Sequence, residues 1–220
     1  MLSKSDPPSQ NFVPKYLSAV TSWHGHLHFA YDLIEKLRPN LFVELGVHYG
    51  DSYFTFCQSV KDHNVDCNCY AVDSWLGEKH SGIYGEEVWE TVNKYNQEHY
   101  ANFSKLIRSS FSNAVSEFKD SSIDILHIDG FHTYEAVKED FSTWLPKISE
   151  GGIVLMHDIC VRNDDFGVWK LWNEIEEKFN CFSFKHCNGL GILSNCSEKL
   201  SRKLFFQSLK TPFADSYYKT

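Results

Sequence analysis

The sequence has no uncharged apolar run approaching the roughly 18 residues a helix needs to cross a bilayer, and its opening stretch, Met1 to Pro8, holds no apolar signal core. A cytoplasmic protein without a membrane span is therefore expected. A cationic excess is also missing. Against 29 Asp and Glu stand only 21 Lys and Arg, a formal charge of -8, which argues against a surface built to neutralise nucleic-acid phosphates. The 7 cysteines are odd in number and include no CxxC pair at zinc-site spacing, so reduced thiols are expected rather than a disulfide or zinc framework. Internal repeats and low-complexity tracts are absent as well.

What is present is ample apolar surface. Hydrophobic residues make up 42% of the chain, with 17 Phe, 11 Tyr and 6 Trp, enough to offset chain entropy and exclude wholesale disorder. A chain of 220 residues is of one-domain size. Residues 1–14 are polar and proline-containing and read as a flexible tail. The domain proper is expected over 15–196, followed by a C-terminal extension, 197–220. That extension mixes Lys199, Arg202, Lys203 and Lys210 with Leu204, Phe205 and Phe206. It suits packing on the body, contact with a second subunit in a homo-oligomer, or a solvated helix.

Apolar spacing predicts a helix within 16–37, stopped by Arg38 and Pro39. Short apolar runs then alternate with helical patterns. Strands are expected at 41–45, 69–73, 105–107, 123–128 and 153–156, and helices at 52–60, 86–100, 112–118, 134–145 and 168–179. Two late strands, 182–184 and 191–193, flank Asn188 and Gly189, a turn that suits an antiparallel edge hairpin. The alternation implies an α/β fold with a doubly wound, mostly parallel seven-stranded sheet. In such sheets ligands bind beyond the carboxyl ends of the strands. Polar residues stand at four of those ends: Glu44, Asp73, Asp129 and the pair His157 and Asp158.

Glu44-Leu45-Gly46-Val47-His48-Tyr49-Gly50 is a strand followed by a glycine-bearing turn into a helix. Its glycines permit a close backbone approach to a ligand, and the helix start offers free N–H groups. Alone, the pattern equally describes an ordinary βα turn. Asp73 after the next strand adds a carboxylate suited to ribose hydroxyls. A dinucleotide site is disfavoured, because the second glycine of GxGxxG is missing after Gly46.

Glu44, Gly46 and Gly50, with Asp73, resemble the ExGxxxG cofactor loop and ribose-binding acid of class I S-adenosylmethionine-dependent methyltransferases. The resemblance covers roughly residues 16–195. The strings His127-Ile128-Asp129-Gly130-Phe131-His132 and Gly151-Gly152-Ile153-Val154-Leu155-Met156-His157-Asp158, with Trp23-His24-Gly25-His26 and residues 184–193, are similar to a bacterial branch of glycan and natural-product O-methyltransferases. The resemblance implies a Rossmann-like methyltransferase fold and an S-adenosyl-L-methionine site. Its cofactor residues would be Glu44, Gly46, His48, Gly50, Ser52, Asp73, Ser74, Trp75, Ser110, Phe111 and Asp129. Acceptor contacts would come from Trp23, His24, His26, His80 and Tyr84, the acceptor being a small molecule or glycan.

Methyl transfer to oxygen gains from a base or a divalent cation that lowers the hydroxyl pKa. In related metal-dependent enzymes, acids at positions matching Asp129 and Asp158 hold magnesium. This chain departs by placing His157 where a second acid commonly stands. Asp129, His157 and Asp158 are the candidate ligands for Mg2+ or another divalent metal. His132, with an ordinary imidazole pKa near 6.5, is the first candidate base, and His157 and Asp129 complete the catalytic set. Two rivals from other classes stay open: a catalytically silent adenosine-binding module, and a zinc hydrolase using His24, His26 and His28.

Overall fold

The structure, a computed structural model, describes residues 8–77, 79, 82–163 and 165–195. Five strands run parallel: β1 (Leu41–Leu45), β2 (Asn68–Asp73), β3 (Ser104–Arg108), β4 (Ile123–Ile128) and β5 (Ile148–His157). The central strands are covered on both faces, and all six residues of β4 are buried, whereas the edge strand β3 leaves Lys105 and Arg108 exposed. The last two strands, β6 (Asn180–Phe184) and β7 (Leu190–Ser194), form the antiparallel edge. The sheet order is β3-β2-β1-β4-β5-β7-β6, with β7 antiparallel to both of its neighbours. This is the expected doubly wound seven-stranded sheet.

Successive strand residues feed opposite faces. Phe42, Ile125 and Leu155 pack under α1 (Leu27–Leu37), α2 (Asp51–Asp62) and α3 (Glu86–His99). Val43, Leu126, Val154 and Met156 pack under α4 (Phe111–Ala114), α5 (Tyr134–Trp144) and α6 (Val168–Glu176). The strand order turns back between β1 and β4, so the crevice for a ligand opens at their carboxyl ends.

Element boundaries differ from the sequence expectation most at three places, while α6 ends at Glu176 and β6 starts at Asn180, a few residues from the bounds expected. Helix α1 begins at Leu27, after a 3-10 turn at His24–His26, and not near Tyr16. The stretch before that turn is irregular because its N–H groups are taken by side chains of α2: Lys15 donates to Gln58 and Ser18 to Asp51. The helix expected at 112–118 is only α4 and a 3-10 turn, Val115–Glu117; Phe118 then turns extended and packs against Trp144. Strand β5 starts at Ile148, with the left-handed Gly151 (φ 74°) and a register shift opposite Ile123 and Ile125 absorbing the extra length. The stretch expected as a tail is also tied to the body, through Ser9 and Phe12. Ser9 N–H donates to the buried Asp32 at 2.7 Å, and Phe12 stacks on Tyr31. The extension 197–220 lies outside the described residues. Among those described, no helix is long and apolar enough to cross a membrane.

Candidate active site

The β1–α2 loop is built around a strand-end contact. Gly46 has φ 83°, and a side chain there would run into the Asp129 carbonyl at the end of β4. Gly50, φ 93°, caps α2. Asp73, 8% exposed, clamps the loop: Oδ2 accepts N–H bonds from Val47 (2.8 Å) and His48 (3.0 Å), and Oδ1 accepts one from Trp75 (2.7 Å). An ionised carboxylate has about four acceptor positions, so one direction remains for a ligand. Trp75 is fully buried, and its indole N–H donates to the His48 carbonyl.

A cavity of about 760 Å³ lies over this loop. Gly46, His48, Ser52, Asp73 and Ser74 line one side of it, with Ser110 and Phe111 beyond. Ser110 also accepts the Asn113 N–H as the cap of α4. Trp23 and Tyr84 line it as expected, and among the lining residues not offered as site residues from sequence are Asp51, Phe131, Asn163 and Phe166. Phe166 is one of those whose place only the fold reveals, since it stacks on His132 across the loop between β5 and α6.

Several expected residues lie elsewhere. Glu44 is fully buried below the loop, because strand alternation turns it toward α2. It accepts the Ser52 hydroxyl at 2.7 Å, and its second oxygen lies 3.0 Å from His127 Nδ1 without the alignment of a hydrogen bond. Burial raises its carboxyl pKa, against the opposing effect of His127. Gly50 and Trp75 shape the loop from outside the cavity wall. His24 also lies outside the wall and pairs with Asp51 at 3.0 Å. His26 is fully buried on the Cys187 carbonyl at 3.2 Å; burial, with His157 and His186, pushes its pKa down to about 3. With His28 against Phe12, the three alternating histidines do not converge, which removes the zinc-hydrolase reading. His80 falls outside the described residues.

At the ends of β4 and β5, carboxylates and imidazoles meet. His132 Nε2 is 2.9 Å from Asp158 Oδ2 and 3.7 Å from Asp129 Oδ1. His157 Nδ1 is 3.4 Å from Asp129 and 3.6 Å from Asp158, while its Nε2 donates to the Cys187 carbonyl at 3.0 Å. Burial opposes charge on His132, but the two carboxylates outweigh it and hold the imidazole up at about 9. This corrects the expectation of a base titrating near neutrality. His157, also against burial, is raised well above the usual imidazole range by Asp129 and Asp158. Reciprocally, and against burial, His157 and His132 hold Asp129 far below the usual carboxylate range, and His132 and His157 hold Asp158 at about 2.

The set able to converge on one cation is Asp129, His132 and Asp158, whose donor atoms lie within 4.8 Å of one another. Of the expected ligands, Asp129 and Asp158 are in this set; His157 is not, although its Nδ1 is near both carboxylates, and His132, expected as the base, reaches in from the loop after β4.

Residues 43–159 match the family model described as a methyltransferase domain. The chain is 44% identical over 180 residues to the uncharacterized protein y4gI of Sinorhizobium fredii, covering 82% of this chain but only 20% of that protein. It is 28% identical over 145 residues to the uncharacterized protein R132 of Acanthamoeba polyphaga mimivirus, covering 62% and 60% of the two. The chain thus spans about a fifth of the first of these relatives. Among solved structures it is similar to the O-methyltransferase TomG of Streptomyces achromogenes, in complex with S-adenosylmethionine (TM-score 0.58, 11% identity, 84% and 92% of the chains covered). It is also similar to an O-methyltransferase of Bacillus cereus, in complex with S-adenosylhomocysteine (TM-score 0.58, 11% identity, 84% of each chain). At these identities the structural likeness establishes the fold alone, one shared with these two methyltransferases. With more than half of its length matched by the family model, the chain belongs to the methyltransferase domain family.

Proposed function

We propose that the domain moves a methyl group from S-adenosylmethionine to a hydroxyl of a sugar-containing or other small polar metabolite. The observation that carries this reading is a single cavity that joins the loop clamped by Asp73 to the Asp129, His132 and Asp158 cluster. The loop residues Gly46 and His48, with Ser52, Asp73 and Ser74, hold the donor's ribose and methionine part, and Ser110 and Phe111 border its adenine. Trp23, Phe166, Asn163 and Asn188 offer aromatic faces and amides to the acceptor.

In the transfer, the methyl carbon leaves sulfur, whose electron pair stays on the departing S-adenosylhomocysteine. The carbon bonds to the acceptor oxygen as the hydroxyl proton passes to neutral His132. Holding the two reactants in line supplies much of the acceleration. Since only neutral imidazole takes a proton and the two carboxylates hold His132 up at about 9, the protonated form dominates at pH 7 and the rate climbs as pH rises toward 9.

The donor set also fits a divalent cation, as an alternative use of the cluster, because an imidazole that ligates an ion is no longer free to take the acceptor proton. Ligands in cis positions around an ion at about 2.1 Å stand roughly 3 Å apart, comparable to the 2.9 Å and 3.7 Å seen from His132, and the buried Asp158 Oδ1 has no hydrogen bond. An imidazole in the set favours manganese, iron, cobalt or zinc over magnesium. When bound, such an ion supplies Lewis-acid polarisation of the acceptor hydroxyl. The test is methyl-label transfer from S-adenosylmethionine to neutral glycosides and hydroxylated metabolites, with and without chelator. Wild-type protein that binds the donor yet labels none, while Asp129→Asn behaves identically, favours the silent binding module.

A further inference from the structure

We infer that Asp51 is a positioning residue: it ties the irregular segment 12–23 across the cavity mouth and thereby sets how tightly the methyl donor is retained. The inference rests on the methyl-donor reading of the cavity.

The segment has no hydrogen-bonded ladder or helix of its own before the turn at His24–His26. Its exposed apolar residues, Val13 at 73% and Leu17 at 50%, show that burial alone does not hold its whole course. It is fastened to α2 at two places. The outer fastening lies about two turns along the helix, where Gln58 accepts the Lys15 N–H (2.9 Å) and donates to the Val13 carbonyl (3.1 Å). Lys15 Nζ reaches Asp62 there, and Tyr16 packs on Phe54 and Tyr95.

The polar inner fastening, among the described residues, is Asp51. Its Oδ1 accepts from Ser18 N–H (2.7 Å) and faces His24 Nε2 (3.0 Å), and its Oδ2 accepts from the Ser18 hydroxyl (2.6 Å). This carboxylate is 7% exposed and opens the first turn of α2, where the helix N-terminus favours negative charge. Hydrogen bonds to an ionised acceptor are about twice as strong as neutral ones.

Beyond these ties, Val20, Ser22 and Trp23 form part of the wall of the same cavity that the glycine loop lines. Asp51 lines the same wall, next to Ser52. The inner end of the segment is thus held by two things, the Asp51 carboxylate at Ser18 and His24 and the burial of Trp23 against Phe56, His127 and His157, and of these only Asp51 fixes the stretch between Ser18 and Trp23 by hydrogen bonds. No catalytic atom needs to move for its loss to open the site.

The experiment compares wild type, Asp51→Ala, Asp51→Asn and Gln58→Ala by calorimetric titration with S-adenosylhomocysteine, dissociation rate and peptide-resolved hydrogen exchange. Asp51→Ala is expected to weaken binding about tenfold or more through faster dissociation, and to speed exchange at residues 16–23. Asp51→Asn, which keeps one acceptor oxygen for Ser18, recovers most of that loss. Gln58→Ala, which frees the outer end only, stays within about twofold of wild type. Folded Asp51→Ala with wild-type affinity and dissociation rate overturns the inference, as does an equal loss in Gln58→Ala. Where Asp51→Ala does not fold, Ser18→Ala combined with His24→Ala cuts two ties from the other side and carries the same expectations. Wild-type protein that ignores S-adenosylhomocysteine removes the donor reading and the retention claim together, and the exchange data then separately report whether Asp51 still tethers the segment.

Discussion

His132 and Asp158 face each other at 2.9 Å, and that contact decides the proton chemistry. Replacing His132 by Ala removes the proton acceptor and should lower methyl transfer by about 100-fold or more, with S-adenosylhomocysteine affinity within about twofold of wild type. Initial rates between pH 6 and 10 check this. Wild type should rise toward about pH 9, and the variant should lose that rise. The same side chains link pH to stability. His132 is raised from 6.5 to about 9 on folding, so its contribution is full below about 6.5 and is lost as pH climbs through 9. Asp158 is lowered from 3.8 to about 2, so its contribution is full above about 3.8 and is lost as pH falls through 2. Thermal melts should therefore show the gap between wild type and His132→Ala widest near pH 4–6.5 and narrowing toward 9. Asp129, three residues earlier, is a partner that the sequence places nearby, but the second carboxylate, Asp158, arrives from a different strand and only the fold sets both against His132.

Strand β1, the loop after it and helix α2 form the element on which the site is built. Gly46→Ala places a methyl group against the Asp129 carbonyl in a left-handed backbone, at a cost of about 1–3 kcal/mol or more. Chemical denaturation should show that loss, and donor affinity should fall with it, since the loop must shift. Such elements were legible where one physical rule acts alone. The residues of β1 and β4 follow from runs buried on both faces, and Gly46 and Asp73 from the strand-loop-helix pattern. Legibility failed where partners are remote in sequence. Tyr16 looks helical but packs on Phe54 and Tyr95, and Asp51 looks like an ordinary helix-start acid until Ser18 and His24 fold back on it. Glu44 sits in the expected motif, yet strand alternation sends its carboxylate beneath the site, where Ser52 and His127 receive it.

At the scale of the whole molecule, a seven-stranded sheet brings strand ends far apart in sequence to one cavity. Carboxylates of Asp51, Asp73, Asp129 and Asp158 line it, and no Lys or Arg does among the described residues. That balance suits a sulfonium donor and a divalent ion. Titration with Mn2+ or Co2+ should give one site per chain, weakened at least tenfold in Asp158→Asn, and should release protons as His132 becomes a ligand. Magnesium should bind more weakly. The most direct check on the central claim is calorimetric titration of S-adenosylhomocysteine into wild type and Asp73→Ala. One site per chain in the micromolar range, weakened at least tenfold when Asp73 releases the loop, is the predicted result. No binding heat from wild type at any temperature tried, or equal affinity in folded Asp73→Ala, would contradict it.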